Sequence, residues 1–311
     1  MVPGCYTAAM KLTGFITIAV VTTTVSGVLA QRGPISSTPA DFSSAKWVAS
    51  EGMDSPESVS YDADSGFLFV SQIGGQAADK DGNGRISKLT LDGKVVDANW
   101  VTGLNGPKGQ ASRRGTLWVA DIDEVVGIEI KTGRITSHLK IDGAQFLNDL
   151  ANAPDGTIYT SDSFGNRIYV IKDGKPSVFF EGDSIPLPNG VLVDGRRLIV
   201  AADGRPARGG AGGGVPATLV AIDFATKQLT PVAKGSIGTP DGVEHDGHNG
   251  FVLSDVAAGR ILQVAPDGEV KMLRQLAPQA ADICYIPARH LLIVPHLGLN
   301  KVAAYELSEL N

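Results

Sequence analysis

Ile158-Tyr-Thr-Ser-Asp162, four intervening residues, Arg167-Ile-Tyr-Val-Ile171 and then Asp173-Gly174 make up a phrase that decides the fold of this 311-residue chain. Two apolar runs of strand length, with a turn dipeptide after them, read as a hairpin and its continuation. The first run recurs as Leu68-Phe-Val-Ser-Gln72, Leu117-Trp-Val-Ala-Asp121, Leu198-Ile-Val-Ala-Ala-Asp203, Phe251-Val-Leu-Ser-Asp255 and Leu292-Ile-Val-Pro-His296. The second recurs as Arg85-Ile-Ser-Lys-Leu89, Gly127-Ile-Glu-Ile130, Thr218-Leu-Val-Ala-Ile222, Arg260-Ile-Leu-Gln-Val264 and Lys301-Val-Ala-Ala-Tyr305. Asp92-Gly93, Thr132-Gly133 and Asp267-Gly268 close other units with the positive φ that hairpin turns need. Each unit also has a strand before and after this pair.

Six such units of four strands predict an all-β, six-bladed β-propeller with antiparallel strands over 45–311. The sixth unit ends after its third strand, near Glu306-Leu307, while Lys46-Trp-Val-Ala49 stands unassigned ahead of the first. That N-terminal strand is expected to complete the last blade and remove an open edge. No helical periodicity interrupts the pattern, which argues against a parallel α/β fold.

Composition fits: 43% hydrophobic, 19% charged, 6% aromatic, with 38 glycines. A net charge of −6 without a basic block gives no nucleic-acid surface. Residues 1–30 read as a signal peptide, its start possible at Met10, with Lys11 as the positive charge and Val28-Leu29-Ala30 before the cleavage point. Export to the periplasm or exterior follows, with no membrane span after cleavage, and 31–44 is a Pro/Ser/Thr-containing linker. Cys5 leaves with the signal, so Cys284 has no disulfide partner and is expected as a buried small hydrophobe.

With the units in phase, the residues opening the innermost strands are Glu57, Lys108, Asn148, Asn189, Asp241 and Ala281. Equivalent positions on innermost strands converge on the propeller axis. Four of the six carry oxygen ligands, which suit one hard divalent cation: Ca²⁺ first, with Mg²⁺, Mn²⁺ or Zn²⁺ as alternatives. The competing reading is that Pro188-Asn-Gly190 and Pro240-Asp-Gly242 are turns.

Ser55-Pro-Glu-Ser-Val59, Leu147-Asn-Asp-Leu150, Pro188-Asn-Gly-Val191 and Pro240-Asp-Gly-Val243 resemble the four metal-ligand motifs of the senescence marker protein/gluconolactonase (regucalcin-like) family. The resemblance spans about Lys46 to Leu307. It implies a six-bladed propeller with Glu57, Asn148, Asn189 and Asp241 as ligands of one cation, and Asp241 as general base, or as nucleophile in the manner of some relatives. A Lewis acid on a lactone or ester carbonyl, with a carboxylate accepting the proton of water, is a coherent hydrolase. Many sugar-lactone hydrolases of that family carry arginine two residues before the first ligand asparagine. Here that position is Phe146, which makes the pocket more apolar.

Lys108 is the other departure. An ammonium about 4 Å from a divalent cation is repelled by roughly 8 kcal/mol at an effective dielectric near 20. It is therefore expected to face substrate, where it binds an anion or oxyanion, or to pair with a carboxylate; a lysine snorkelling at the channel mouth is the structural alternative. His296 ends its strand on the proposed metal face and is expected to reach the pocket, whereas His245 and His248 are expected at the opposite end, facing solvent. Asp121, Asp162, Asp203 and Asp255 are expected to accept backbone N–H bonds in the turns after their strands. Asp79, Asp81 and Asn83 match the opening of an EF-hand loop and form a possible second calcium site, although position twelve is Thr90 and no helices flank it. Residues 205–214, rich in glycine, read as a loop over the metal face. The functional expectation is an exported, metal-dependent hydrolase of a small-molecule lactone or ester. The alternatives are a binding propeller with a structural metal and a strictosidine-synthase-like or phosphotriesterase-like enzyme.

Overall fold

The computed structural model describes residues 1, 41–204, 215–308 and 310. The signal segment, most of the linker and the 205–214 loop lie outside them. Six four-stranded antiparallel sheets form the blades. Blade one is β2 (Pro56–Asp62), β3 (Phe67–Gln72), β4 (Gly84–Thr90) and β5 (Val95–Leu104). Blade two is β6 (Pro107–Arg113), β7 (Thr116–Asp121), β8 (Glu124–Glu129) and β9 (Arg134–Lys140). Blade three runs through β10 (Leu147–Asn152), β11 (Ile158–Asp162), β12 (Arg167–Lys172) and β13 (Lys175–Glu181). Blade four holds β14 (Pro188–Asp194), β15 (Arg197–Ala202), β16 (Thr218–Asp223) and β17 (Leu229–Pro231). Blade five holds β18 (Pro240–His245), β19 (Phe251–Asp255), β20 (Arg260–Val264) and β21 (Val270–Gln275).

Blade six is built from both ends of the propeller. Its inner strands are β22 (Cys284–Ile286), β23 (Leu291–His296) and β24 (Lys301–Glu306), and its outermost is β1 (Trp47–Ala49). Trp47, Val48 and Ala49 pair with Ala304, Ala303 and Val302, as the unassigned N-terminal strand required. Trp47 also donates its indole N–H to Leu91 O at 3.2 Å, which ties the closing strand to blade one.

The core lies between the blades. Each hydrophobic cluster joins two neighbouring sheets: Phe69, Ile86 and Leu104 of blade one meet Leu117, Val119 and Ile128 of blade two. Leu68, Val70 and Leu89 meet Ile293, Val302 and Ala304 across the closure. The second and third strands are buried on both faces and so read as continuous apolar runs. Outer strands are half-solvated: β9 alternates exposed and half-buried along its whole length. Burying one such Leu or Ile contributes about 1.5–3 kcal/mol, so each interface is a substantial fraction of stability. Among the described residues there is no α-helix, and no helix long and apolar enough to cross a membrane.

Candidate metal centre and channel

The innermost strands β2, β6, β10, β14, β18 and β22 contact one another around a closed ring. Five of them break register with their partner at the predicted axis residue: between Pro56 and Ser58, Pro107 and Gln110, Leu147 and Leu150, Pro188 and Val191, and Pro240 and Val243. A bulge re-aims a side chain while the strand continues. Asn189 and Asp241 are therefore strand residues at bulges, and the turn reading of Pro-Asn-Gly and Pro-Asp-Gly does not hold. The glycines have another reason. A Cβ on Gly190 would stand 2.0 Å from Asp241 O, and one on Gly242 2.2 Å from Asp282 Oδ1. Side chains there would hold the innermost strands apart.

Glu57, Asn189 and Asp241 are buried, and Asn148 is half-buried. Among the described residues, Glu57 Oε2 and Asn189 Oδ1 have no hydrogen-bond donor. A buried acceptor without a donor costs about 1–3 kcal/mol, so a cation is the natural complement. Asn148 donates from Nδ2 to Ser163 Oγ at 3.1 Å, and Ser163 in turn donates to Pro188 O at 2.7 Å. That chain fixes the amide and leaves the Asn148 carbonyl oxygen as its free end. Burial, then the charges of Asp241 and Asp282, pushes the Glu57 carboxyl far above its ordinary range. Burial does the same to Asp241, reinforced by Asp282 and Asp203 and eased by the Asn189 amide. Bound positive charge reverses both shifts. No three His, Cys, Asp or Glu side chains gather into a metal-binding cluster among the described residues. The candidate set has two carboxylates and completes itself with two amides.

Lys108 is 2% exposed, so it does not snorkel. Its ammonium donates to Ala77 O and Gly106 O, both at 2.8 Å, and lies 4.2 Å from the centroid of the Phe146 ring. Burial brings its pKa down to about 8, against the opposing pull of Glu57 and Asp121. Phe146 stacks on Phe164 at 4.4 Å, forming an apolar wall beside Lys108.

His296 is buried too, with Nε2 at 3.2 Å from Tyr305 Oη, Nδ1 unpartnered and the Phe42 ring edge-on at 5.0 Å. Burial, then Lys301, depresses its pKa to about 4. His245 and His248 are exposed, and Cys284 is buried and free. Asp79, Asp81 and Asn83 are exposed, with Asp81 Oδ1 accepting from Asn83 N at 3.0 Å in an Asx turn. Lys80 pairs with Asp123, and Ala77 is the carbonyl that Lys108 holds. The loop is thus anchored over the channel by a lysine.

The strand-ending aspartates reach mainly backward to the loop leading into their own blade. Asp121 accepts from Asn105 and Gly106, Asp162 from Gln145 and Phe146, and Asp255 from Thr239. Bonds to the following turn are secondary, from Gly165 and Ala258. The turn after Asp203 lies outside the described residues, and Leu187, in the place of Gly106 and Phe146, gives its N–H to Asn166 instead. Among the described residues the Asp203 Oδ1 has no donor, and burial and then Asp255 raise its pKa to about 7. Sequence phase grouped it with three structural aspartates, whereas its charge bears directly on Asp241.

One step along the axis from the candidate ligands stands a second acidic group that the sequence reading missed: Asp149 and Asp282, with Glu244 beyond. Asp149 takes the N–H groups of Leu150 at 2.6 Å and Val191 at 2.7 Å, and Asp282 takes the Ser58 hydroxyl at 2.5 Å. Burial raises Asp282 to about 7 and Glu244 to about 8. Comparing the residues just after the axis set would have shown Asp149 and Asp282 in phase.

No protein-family model and no curated protein sequence matches the chain. Solved structures do. A virginiamycin B lyase from Staphylococcus aureus, catalytically inactive and with quinupristin, is 12% identical over 83% of this chain and 97% of its own, with a TM-score of 0.55. A streptogramin B lyase is 13% identical over 83% and 96%, at 0.57. A nidogen/laminin complex gives 15% over 79% and 95%, at 0.59. At such identities the likeness is one of fold, and the fold it shows is the six-bladed propeller.

Proposed function

We propose that this protein is an exported, divalent-metal-dependent hydrolase of lactones or related esters, with its reacting centre at Glu57, Asn148, Asn189 and Asp241. One observation carries the reading: two buried acceptor atoms without donors, Glu57 Oε2 and Asn189 Oδ1, sit at positions in phase with Asn148 and Asp241. Oxygen donors alone, two of them carboxylates, fit a hard cation, Ca²⁺ before Mg²⁺, Mn²⁺ or Zn²⁺. When bound, that cation supplies Lewis acidity toward an ester carbonyl.

The chain does the rest. Asp241 is the carboxylate placed to take a proton from an attacking water, and the Asn189 amide beside it holds its orientation. Phe146 and Phe164 give the acyl or ring portion of the ester an apolar wall and keep water from that side. Lys108, held by two carbonyls, keeps a positive charge close enough to Glu57 to favour its ionised form. Lyases among the structures of similar fold support an enzymatic reading.

The test is metal content and turnover on a panel of lactones and aryl esters, wild type beside Asp241→Ala and Asn189→Ala. The expected result is one cation per chain and a loss of turnover of at least about a hundredfold in Asp241→Ala. A cation retained with no turnover on any substrate replaces this reading with a binding propeller whose metal is structural.

A further inference from the structure

Ser163 stands in the turn that follows β11 and is 5% exposed. Its Oγ lies 2.7 Å from Pro188 O and 3.1 Å from Asn148 Nδ2. A hydroxyl has one proton, and a backbone carbonyl can only accept. The proton therefore goes to Pro188 O, and toward Asn148 the same oxygen can only accept. That polarity decides which end of the Asn148 amide meets it. The Nδ2 end faces Ser163, and the carbonyl oxygen, the end that can ligate a hard cation, is left free.

The local structure gives Asn148 no other hold on that orientation. It sits in the register break between Leu147 and Leu150, outside the regular pairing of β10 with β11. On one side β6 brings Lys108, whose ammonium is a donor only. On the other, β14 brings Asn189, whose amide is engaged with Asp241 and whose Oδ1 takes no donor among the described residues. Ser163 itself is fixed from its backbone, where its N–H donates to Phe146 O at 3.0 Å.

Phase sets Ser163 apart. The residues one step beyond Gln72, Asp121, Asp162, Asp203, Asp255 and His296 are Ile73, Ile122, Ser163, Gly204, Val256 and Leu297. Five have no side-chain hydrogen-bonding group. The hydroxyl falls in blade three, beside the candidate ligand amide whose neighbours in the ring, Lys108 and Asn189, carry no carboxylate to take its N–H groups. Pro188 directly precedes Asn189, so one hydroxyl ties the seats of two candidate ligands on neighbouring blades.

We propose that Ser163 is a positioning residue of the metal centre, its hydroxyl selecting the oxygen end of Asn148 for the cation and holding β10 to β14 so that Asn148 and Asn189 serve one ion. It acts through Asn148, and this role rests on the reading of those two asparagines as ligands.

A double-mutant cycle tests it. The intact protein is titrated calorimetrically with the chloride of whichever cation wild type binds most tightly among calcium, magnesium, manganese and zinc. Ser163→Ala is expected to weaken that cation by about tenfold or more, the usual cost of losing a group that orients a metal ligand. Asn148→Asp places an oxygen at both ends of the side chain, so no orienting acceptor is needed. Adding Ser163→Ala to Asn148→Asp is therefore expected to change affinity by less than about twofold. Melting temperatures in chelator establish that all four proteins are folded. A loss of equal size in both backgrounds shows mere packing and overturns the proposal, as does cation binding indifferent to Ser163→Ala; either result leaves the metal centre standing. No cation bound by wild type overturns this role together with the hydrolase reading. The expected cycle without turnover on any lactone or ester upholds the role of Ser163 and removes the hydrolase reading alone.

Discussion

The Lys108 ammonium, brought toward the channel by blade two, lies 4.2 Å from the centroid of the Phe146 ring at the entry to blade three. A buried cation of one blade is thus faced by an aromatic ring of the next.

Replacing Lys108 by Met removes a cation that acts on Glu57. Divalent-cation affinity is expected to rise by about tenfold, because one unit charge of repulsion disappears. Ala77 O and Gly106 O lose their donor, so the metal-free protein is expected to lose about 1–3 kcal/mol. Calorimetric titration and denaturant unfolding measure the two effects, and a weaker cation site in the variant contradicts the assignment.

Glu57→Gln separates charge from shape at the axis. Burial and neighbouring acids keep Glu57 far above its normal range without a cation, so the amide is expected to leave the metal-free fold intact or slightly more stable. Calcium affinity is expected to fall by about a hundredfold or more, the cost of a lost carboxylate ligand in a partly dry site. Unchanged calcium binding removes Glu57 from the ligand set.

The acids of the channel set a pH dependence. Glu244 is raised to about 8 and Asp282 to about 7, so the native state binds protons that the unfolded chain releases near pH 4. Their contribution is complete below that unfolded pKa and is lost as pH rises through 7 and 8. In chelator, the melting temperature is expected to drop from pH 6.5 to 8.5, and saturating calcium is expected to blunt the drop. A chelated protein whose stability rises across that window excludes the raised carboxyls as its cause.

His296 works in the opposite direction at lower pH. With its pKa depressed to about 4, the native ring stays neutral while the unfolded ring takes a proton below about 6.5. The stabilisation is full above that value and is lost as pH falls from 6.5 to 4, by about 3 kcal/mol at most. His296→Gln is expected to lose less stability than wild type between pH 7 and 4 in equilibrium unfolding. Parallel profiles for the two proteins would show that the ring is not excluded from protonation.

Legibility followed burial. The second and third strands of each blade are dry on both faces, so β11 and β19 coincide with the apolar runs that announced them. Outer strands such as β17, three half-buried or exposed residues, carry no such signal. That Glu57, Asn148, Asn189 and Asp241 stand on innermost strands was readable because phase alone places equivalent residues there. The role of Gly190 and Gly242 was not, since it depends on how closely the next blade approaches. Asp203 differs from its counterparts for a similar reason: Leu187, in the place of Gly106 and Phe146, turns its N–H to Asn166, a difference made by the preceding loop rather than by the strand of Asp203.

The pairing of Val48 with Ala303 gives the ring a kinetic consequence. Contacts so far apart in sequence demand a larger loop closure than any other strand pairing among the described residues, and a chain emerging from its N-terminus carries β1 unpaired until β24 has been made. Until then blade six has no outer strand, and the row of N–H and C=O groups along β24 stays open to another chain. Assembly of the ring therefore waits for β24, and the interval before that pairing is when this protein is most exposed to joining with a second copy of itself.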